Sequence, residues 1–107
     1  MQRVLFTGAA GGIGTLLRPM LGELRVDMRL SDVAEPEGGP APGEDWVMAD
    51  LTDAQAVARA VEGCDAILHF GGISKENTAD LIHEVNVKGT YILYEAARKA
   101  GVKRILF

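Results

Sequence analysis

The sequence predicts an α/β fold built on a parallel sheet, and three features of the chain predict it. Short apolar runs alternate with stretches of helical period, which is typical of strands joined by crossover helices. A glycine-rich loop, TGAAGGIG at 7–14, directly follows the first apolar run. The second apolar run is followed by Asp32, at about the 20-residue offset at which an acidic residue completes a nucleotide site. We expect the sheet order 3-2-1-4-5.

Length and composition narrow the class of protein. The 107 residues fit one domain, and a hydrophobic content of 48% is enough for one core. The 11 basic and 15 acidic residues give a net charge of −4, which disfavours nucleic acid and anionic membranes as partners. The single cysteine, Cys64, is consistent with a reducing compartment. Since no apolar run approaches the roughly 18 to 20 residues that span a bilayer, we expect a cytoplasmic protein.

The first half of the chain supplies the first two strands and the helix between them. The first strand is predicted at Arg3–Thr7, and a helix runs from Gly12 to about Leu24. Pro19 lies inside this helix and is expected to kink it or shift its start. The second strand is predicted at Val26–Leu30 and ends at Ser31 and Asp32.

The next segment is rich in turn-forming residues. Three prolines and three glycines within 34–44 predict a surface loop, so no helix joins the second strand to the third. The third strand is expected at Trp46–Ala49. Thr52 and Gln55 have capping-box spacing and predict a helix that continues to about Val61.

The last third of the chain predicts a strand, a long helix and a final strand. The strand covers Ala66–Phe70, and the helix covers Ala79–Lys99 with two adjacent apolar stripes, which indicate extensive burial. Asn86 lies on one of these stripes, so we expect its amide to be buried. Gly101 is the expected C-terminal cap, and Arg104–Phe107 the fifth strand.

A strand, a glycine-rich turn and a helix in succession form a phosphate site, because the free N–H groups of the first helical turn converge there. Gly8 allows the sharp turn, Gly11 allows close approach of a pyrophosphate, and Gly14 allows helix and strand to pack closely. Asp32 would accept hydrogen bonds from a ribose diol and repel a 2′-phosphate, which favours NAD over NADP. The alternative is a tight loop followed by a solvent-facing turn aspartate.

These and later motifs resemble the extended short-chain dehydrogenase/reductases, the family of NAD-dependent epimerases and dehydratases. The matching segments are T-G-x-x-G-x-x-G at 7–14, Asp-Leu at 50–51, His-Phe-Gly-Gly at 69–72 and Asn-Val-Lys-Gly-Thr at 86–90. Within the family, GGIS at 71–74, LYEAAR at 93–98 and the opening TGAAG are most similar to the branch that oxidises hexuronic acids.

The resemblance implies a Rossmann-type fold and a set of site residues. Its implied NAD contacts are Gly8, Gly11, Gly12, Ile13, Gly14, Asp32, Asp50, Leu51, Phe70, Gly71 and Gly72. It also implies that Ser74 borders the pocket of a sugar acid substrate. Asn86 would support the active-site backbone or a proton relay.

Several of these residues have a second interpretation. Asp50 could simply precede or cap the next helix without binding a ligand. Ser74 could be an ordinary loop serine, and Asn86 could be purely structural. His69 and His83 lack the spacing and companions of a metal site, so no metal is predicted. Cys64 has no basic neighbour and is interpreted as a packing residue.

The catalytic motif of the family is absent from the chain. The family uses a tyrosine as general base with a lysine four positions later, but Tyr91 is followed by Glu95 and Tyr94 by Arg98. We therefore interpret 1–107 as an N-terminal NAD-binding half-domain, truncated after the fifth strand, with no catalytic residue of its own.

The resemblance leaves three functions open. In complete form the protein would oxidise a hexuronic acid at C1 to a lactone. The alternatives are a nucleotide-sugar epimerase or dehydratase and a non-catalytic NAD-sensing module. The exposed edge of the fifth strand and an uncovered apolar stripe predict self-association, so a homo-oligomer is a possible state.

Overall fold

The computed structural model describes residues 3–71 and 83–106, which form a parallel sheet with helices on both faces. The strands are β1 (Arg3–Thr7), β2 (Asp27–Asp32), β3 (Glu44–Met48), β4 (Ala66–His69) and β5 (Arg104–Leu106). The helices are α1 (Gly12–Glu23), α2 (Ala54–Val61) and α3 (Gly89–Ala100), with a π-helical segment at His83–Lys88 directly before α3. The predicted sheet order, 3-2-1-4-5, is confirmed, and all four strand pairings are parallel.

The strand register brings the carboxyl ends of three strands together. Thr7, at the end of the central strand β1, pairs with Ser31 of β2 on one side and with His69 of β4 on the other. Because the strands are parallel, the segments that leave them emerge at the same edge of the sheet. This edge is where the glycine loop, Asp32 and the chain after His69 meet.

Two hydrophobic clusters hold the helices against the sheet. On one face, Leu5 and Ile67 lie in a cluster with apolar residues of α2 and α3 such as Leu93. On the other face, Phe6 and Leu30 pack with partly buried residues of α1. Neighbouring residues of a strand point to opposite faces, so Leu5 and Phe6 serve different clusters. The sheet is therefore covered on both sides, as parallel sheets are.

The structure corrects several strand boundaries. The second strand begins at Asp27 rather than Val26 and ends at Asp32 as predicted, and the third covers Glu44–Met48 rather than Trp46–Ala49. The fourth ends at His69 rather than Phe70. The boundaries follow the hydrogen-bonded ladder, in which Asp32 pairs with Met48, whereas the predictions followed side-chain hydropathy. The absence of a helix between β2 and β3 is confirmed, since residues 33–43 are all described and contain none.

The predicted capping box at Thr52 is wrong. Asp53 is the N-cap of α2, and its Oδ1 accepts hydrogen bonds from the backbone N–H groups of Gln55 (3.1 Å) and Ala56 (3.2 Å). The Thr52 hydroxyl instead donates to Asp50 Oδ1 at 2.8 Å. Aspartate ranks above threonine as an N-cap, and here it takes the position.

The prediction of one helix over Ala79–Lys99 is confirmed from His83 onward, but the helix is not a regular α-helix throughout. Residues 83–88 are π-helical, and α3 begins only at Gly89. A π-helical turn has a wider period than an α-helix, so apolar stripes traced at constant spacing shift where it occurs. The predicted cap at Gly101 is confirmed by its left-handed backbone, with φ +78°. The predicted positions 79–82 and Phe107 lie outside the described residues.

An ion pair connects α1 to the first residue of β3, and further hydrogen bonds of the pair hold the loop before that strand. Arg18 donates from Nη2 to Glu44 Oε1 at 2.7 Å and from Nε to Glu44 Oε2 at 3.1 Å. The same Nη2 reaches the Gly39 carbonyl at 3.0 Å, and the Ala41 N–H reaches Glu44 Oε1 at 2.7 Å. Both side chains are largely buried, with exposed fractions of 12% and 5%. The pair therefore anchors a loop that has no helix to hold it.

Within the described ranges, no helix is both long and apolar enough to cross a membrane.

Candidate functional site

The glycine loop between β1 and α1 requires glycine at two positions for steric reasons. Gly8 has φ +72°, and a Cβ there would lie 2.5 Å from the backbone of Phe70. This confirms the sharp turn predicted at Gly8. A Cβ on Gly14 would lie 2.6 Å from the Gly8 carbonyl oxygen and 2.7 Å from that of Ala9. Gly14 thus packs against the loop itself, rather than against the strand as predicted.

The loop places the N-terminus of α1, which has no side-chain cap, at the carboxyl ends of the strands. Gly11 is the N-cap of α1 and has no side chain to satisfy the first N–H groups of the helix. Its carbonyl accepts the Thr15 N–H at 2.9 Å and the Thr15 hydroxyl at 2.8 Å. The N–H groups of the first helical turn have no acceptor within the helix, and the helix dipole adds partial positive charge there. The arrangement is suited to an anion.

Asp32 lies beside this helix terminus and is held in place by backbone groups. Its Oδ2 accepts the Ala10 N–H at 3.0 Å, which ties the carboxylate to the glycine loop. Its Oδ1 accepts the Val33 N–H at 2.7 Å. Each carboxylate oxygen has a further lone pair, so Asp32 can accept hydrogen bonds from a ligand without losing either backbone contact.

Two adjoining cavities open along this edge. The larger has a volume of about 590 Å³ and is lined by Gly8, Ala10, Gly11, Gly12, Ile13, Gly14, Asp32, Phe70, Gly71 and Asn86. The smaller has a volume of about 260 Å³ and is lined by Thr7, Gly8, Ser31, Asp32, Val33, Ala49, Asp50, Leu51, Gly71 and Val85. The two share Gly8, Asp32 and Gly71 and therefore adjoin, and together they are called the cleft.

The structure brings most of the predicted site residues to this cleft. The glycines of the loop, Ile13, Asp32, Phe70, Gly71 and Asn86 line the larger cavity. Asp50 and Leu51 line the smaller one. Gly72 and Ser74 lie outside the described residues, so their predicted contacts with cofactor and substrate remain predictions.

Asp50 and Leu51 also have structural roles. Asp50 Oδ1 accepts both the N–H of Thr52 at 2.9 Å and its hydroxyl at 2.8 Å, so the carboxylate shapes the turn before α2. Leu51 is only 9% exposed and belongs to the core cluster on the α2 and α3 face. A Cβ on Gly89 would lie 2.8 Å from the Leu51 Cβ, so this contact fixes how closely the start of α3 approaches the site.

The burial of Asn86 and the type of helix that contains it differ from the prediction. Asn86 lies in the π-helical segment and is half-buried rather than enclosed in the core. Its backbone carbonyl oxygen accepts a hydrogen bond from the Thr90 hydroxyl at 2.6 Å. Wide helical turns often occur at functional sites because they displace a side chain from the regular helical face.

Sequence reasoning missed the partners of His69. This side chain is 7% exposed, and its Nδ1 lies 2.6 Å from the hydroxyl oxygen of Thr7. Burial lowers the pKa of His69 from its usual value of 6.5, because the charged ring loses hydration. The contact arises from the pairing of β1 with β4, which no local sequence pattern reveals. In the described part of the chain, no cluster of three or more His, Cys, Asp or Glu residues could hold a metal ion.

The basic residue four positions after Tyr94 has an acidic partner on the same helix. The Arg98 guanidinium donates to Glu95 at 3.0 Å on the exposed surface of the helix. Tyr94 is 46% exposed and Tyr91 is 67% exposed.

An open parallel sheet, with a glycine loop entering α1 and a carboxylate at the end of the next strand, defines the Rossmann-type class of nucleotide-binding domains. The chain belongs to the NAD dependent epimerase/dehydratase family, whose model matches residues 4–107.

Three relatives illustrate the similarity. The chain is 49% identical over 106 residues to a uronate dehydrogenase of Pseudomonas syringae pv. tomato, covering 99% of this chain and 38% of that protein. A glucuronic acid dehydrogenase structure from Chromohalobacter salexigens superposes with a TM-score of 0.91 and 48% identity, covering 99% of this chain and 40% of that one. An NAD complex of a mutant uronate dehydrogenase from Agrobacterium tumefaciens superposes with a TM-score of 0.88 and 45% identity, with coverages of 98% and 39%. The chain thus spans about two fifths of the length of these relatives.

Proposed function

We propose that residues 1–107 are the NAD-binding portion of an oxidoreductase that, in complete form, oxidises a hexuronic acid at C1 to a lactone. The observation that carries the proposal is the position of Asp32, which backbone N–H groups hold beside the uncapped N-terminus of α1 along one cleft. A dinucleotide carries both groups that this arrangement recognises, a pyrophosphate and a ribose diol.

Each part of the cleft has a proposed role. The N–H groups at the start of α1, from Gly12 to Gly14, would bind the pyrophosphate, and Asp32 would accept hydrogen bonds from the adenosine ribose. The smaller cavity, beside Asp50 and Leu51, would take the adenine. Phe70, Gly71 and Asn86 would then border the nicotinamide half.

The proposed reaction removes two electrons from the sugar acid. Bound NAD⁺ supplies the hydride acceptor, C4 of its nicotinamide. The C1–H of the sugar acid would leave as hydride, the C1 hydroxyl would lose its proton to a base, and a lactone carbonyl would form. The 107 residues contain no Tyr-x-x-x-Lys motif, so the role of this chain is to bind and orient the cofactor.

Calorimetric titration of the chain with NAD and with NADP tests the cofactor part of the proposal. We expect tighter binding of NAD, because the Asp32 carboxylate repels a 2′-phosphate. Asp32→Asn should weaken NAD binding roughly tenfold or more, the cost of losing hydrogen bonds to a charged group.

The matched control is Asp65→Asn. Asp65 also accepts a backbone N–H, from Arg3 at 2.8 Å, but it directly precedes β4 at the opposite edge of the sheet. NAD affinity should not change in this variant. A folded wild-type chain that binds neither cofactor would contradict the proposal.

A chimera tests whether this chain can serve as the cofactor-binding portion of a uronate dehydrogenase. This chain would replace the matching segment of the Pseudomonas syringae uronate dehydrogenase, and a thermal melt would establish that the product is folded. We expect formation of reduced NAD in the presence of glucuronate, and little formation with the Asp32→Asn version at the same NAD concentration. A folded chimera that forms no reduced NAD with glucuronate would contradict this role of the chain.

A further inference from the structure

His69 lies between two threonine hydroxyls that belong to different elements. Its Nδ1 is 2.6 Å from Oγ1 of Thr7 at the end of β1, and its Nε2 is 3.4 Å from Oγ1 of Thr90 in α3. The ring therefore bridges the central strand of the sheet and the helix that follows the π-helical segment.

The other contacts of Thr7 determine which ring nitrogen carries the proton. Thr7 Oγ1 accepts the Phe70 N–H at 3.1 Å and the Gly71 N–H at 3.0 Å, which occupies both of its lone pairs. Only its own hydrogen remains for the contact with His69, so the hydroxyl donates and Nδ1 accepts. His69 is therefore neutral, with its proton on Nε2.

The Thr90 hydroxyl is placed to accept a hydrogen bond from the other ring nitrogen of His69. Thr90 Oγ1 donates its hydrogen to the Asn86 carbonyl at 2.6 Å, which leaves its lone pairs free to accept from His69 Nε2–H. The hydrogen bonds thus run in defined directions from the amides of Phe70 and Gly71 to the carbonyl of Asn86. Burial opposes protonation of the ring and keeps the bridge in this state.

Both ends of this bridge lie on the larger cavity. Phe70 and Gly71 line it on the β4 side, and Asn86 lines it from the π-helical segment. The orientation of these backbone groups decides where a ligand can lie between them. A one-ångström displacement of a positioning group costs a large factor in binding or rate.

We propose that His69, as the neutral Nε2–H tautomer, is a positioning residue that fixes Phe70–Gly71 and Asn86 relative to each other across the cleft. The role in holding a dinucleotide rests on the proposed function, whereas the tautomer and the bridge do not. His69 acts through the backbone groups that it holds, and itself transfers no proton.

Nitrogen NMR of the histidine rings tests the tautomer directly. We expect Nδ1 of His69 in the unprotonated form, with Nε2 bearing hydrogen, at neutral pH and without any ligand. A protonated Nδ1 would overturn the proposal, whatever the chain binds.

Two substitutions separate the ends of the bridge. His69→Asn keeps an acceptor near the Nδ1 position but cannot reach Thr90, whereas His69→Gln reaches Thr90 but leaves Thr7 without its acceptor. We expect faster hydrogen exchange of the Gly71 amide in His69→Gln and displaced Asn86 and Thr90 amide signals in His69→Asn. Unchanged spectra of both regions in folded variants would refute the bridge.

NAD affinity then tests the positioning role, with Cys64→Ala as the control. Cys64 is 6% exposed and precedes β4, away from the cleft, so its truncation lowers stability without touching the bridge. Under conditions where all variants are fully folded, both His69 variants should bind NAD about tenfold more weakly, and Cys64→Ala should match wild type. If the His69 variants bind NAD with wild-type affinity, the bridge is structural only and the positioning role is refuted. If the wild-type chain binds no NAD, the proposed function is refuted and, with it, the positioning of a dinucleotide.

Discussion

Substitution of Gly14 by alanine should destabilise the chain, although alanine is the better helix former. The added Cβ would lie 2.6 Å from the Gly8 oxygen and 2.7 Å from the Ala9 oxygen, and both are backbone atoms that cannot rotate away. Overpacking of this kind costs roughly 1–3 kcal/mol. Replacing glycine by alanine inside a helix contributes up to about 1 kcal/mol in the opposite direction.

Gly22→Ala provides the matched control for this prediction. Gly22 also lies in α1, and a Cβ there would meet nothing within 4 Å. Because both variants share the gain in helix propensity, the difference between them isolates the steric cost. We expect Gly14→Ala to be less stable than Gly22→Ala by roughly 1–3 kcal/mol in urea denaturation followed by circular dichroism. Equal stability of the two variants would refute the close packing of the glycine loop.

Three further predictions concern parts of the fold outside the cleft. Asp53→Ala removes the N-cap of α2 and should lower the free energy of unfolding by about 1 kcal/mol in urea, so a wild-type midpoint would contradict that cap. Burial raises the pKa of Glu44, but the hydrogen bonds from Arg18 and the Ala41 N–H and the charge of Arg18 outweigh it and lower that pKa below 4.5. As the pH falls, the carboxylate of Glu44 is therefore protonated first in the unfolded chain. The contribution of Glu44 to stability is present above pH 4.5 and is lost as the pH falls through the folded-state pKa. The urea midpoint of wild type should fall more steeply in that pH range than that of Glu44→Gln, and parallel pH profiles would contradict the ion pair. Burial also raises the pKa of the Cys64 thiol, so a thiol reagent should label native Cys64 far more slowly than the urea-unfolded chain, and equal rates would show that the thiol is accessible.

The glycine loop was predictable from local sequence. The turn at Gly8 and the start of α1 at Gly12 follow from the position of the glycines after an apolar strand, and the structure has both where predicted. The N-cap of α2 was harder to predict, because two neighbouring residues could both take that position. Thr52 had the spacing of a cap, but its hydroxyl donates to Asp50, and Asp53, the better N-capping residue type, is the cap.

The long helix shows where a periodic pattern fails. Its apolar spacing predicted regular helix through Asn86, whereas the structure has a π-helical segment there and begins α3 at Gly89. A Cβ on Gly89 would lie 2.8 Å from the Leu51 Cβ, which is a contact between residues far apart in the sequence. Such contacts leave no signal in the spacing of the helix itself.

The sequence by itself determined the order of strands and helices and the residues of the glycine loop, because backbone conformation and hydrophobic period depend on near neighbours. The tertiary structure alone decided that Thr7, His69 and Thr90 meet and that Arg18 pairs with Glu44. These contacts join residues more than 20 positions apart, and their partners were fixed only when parallel pairing set the strand register. Buried polar groups require partners, and the fold determines which ones come within reach.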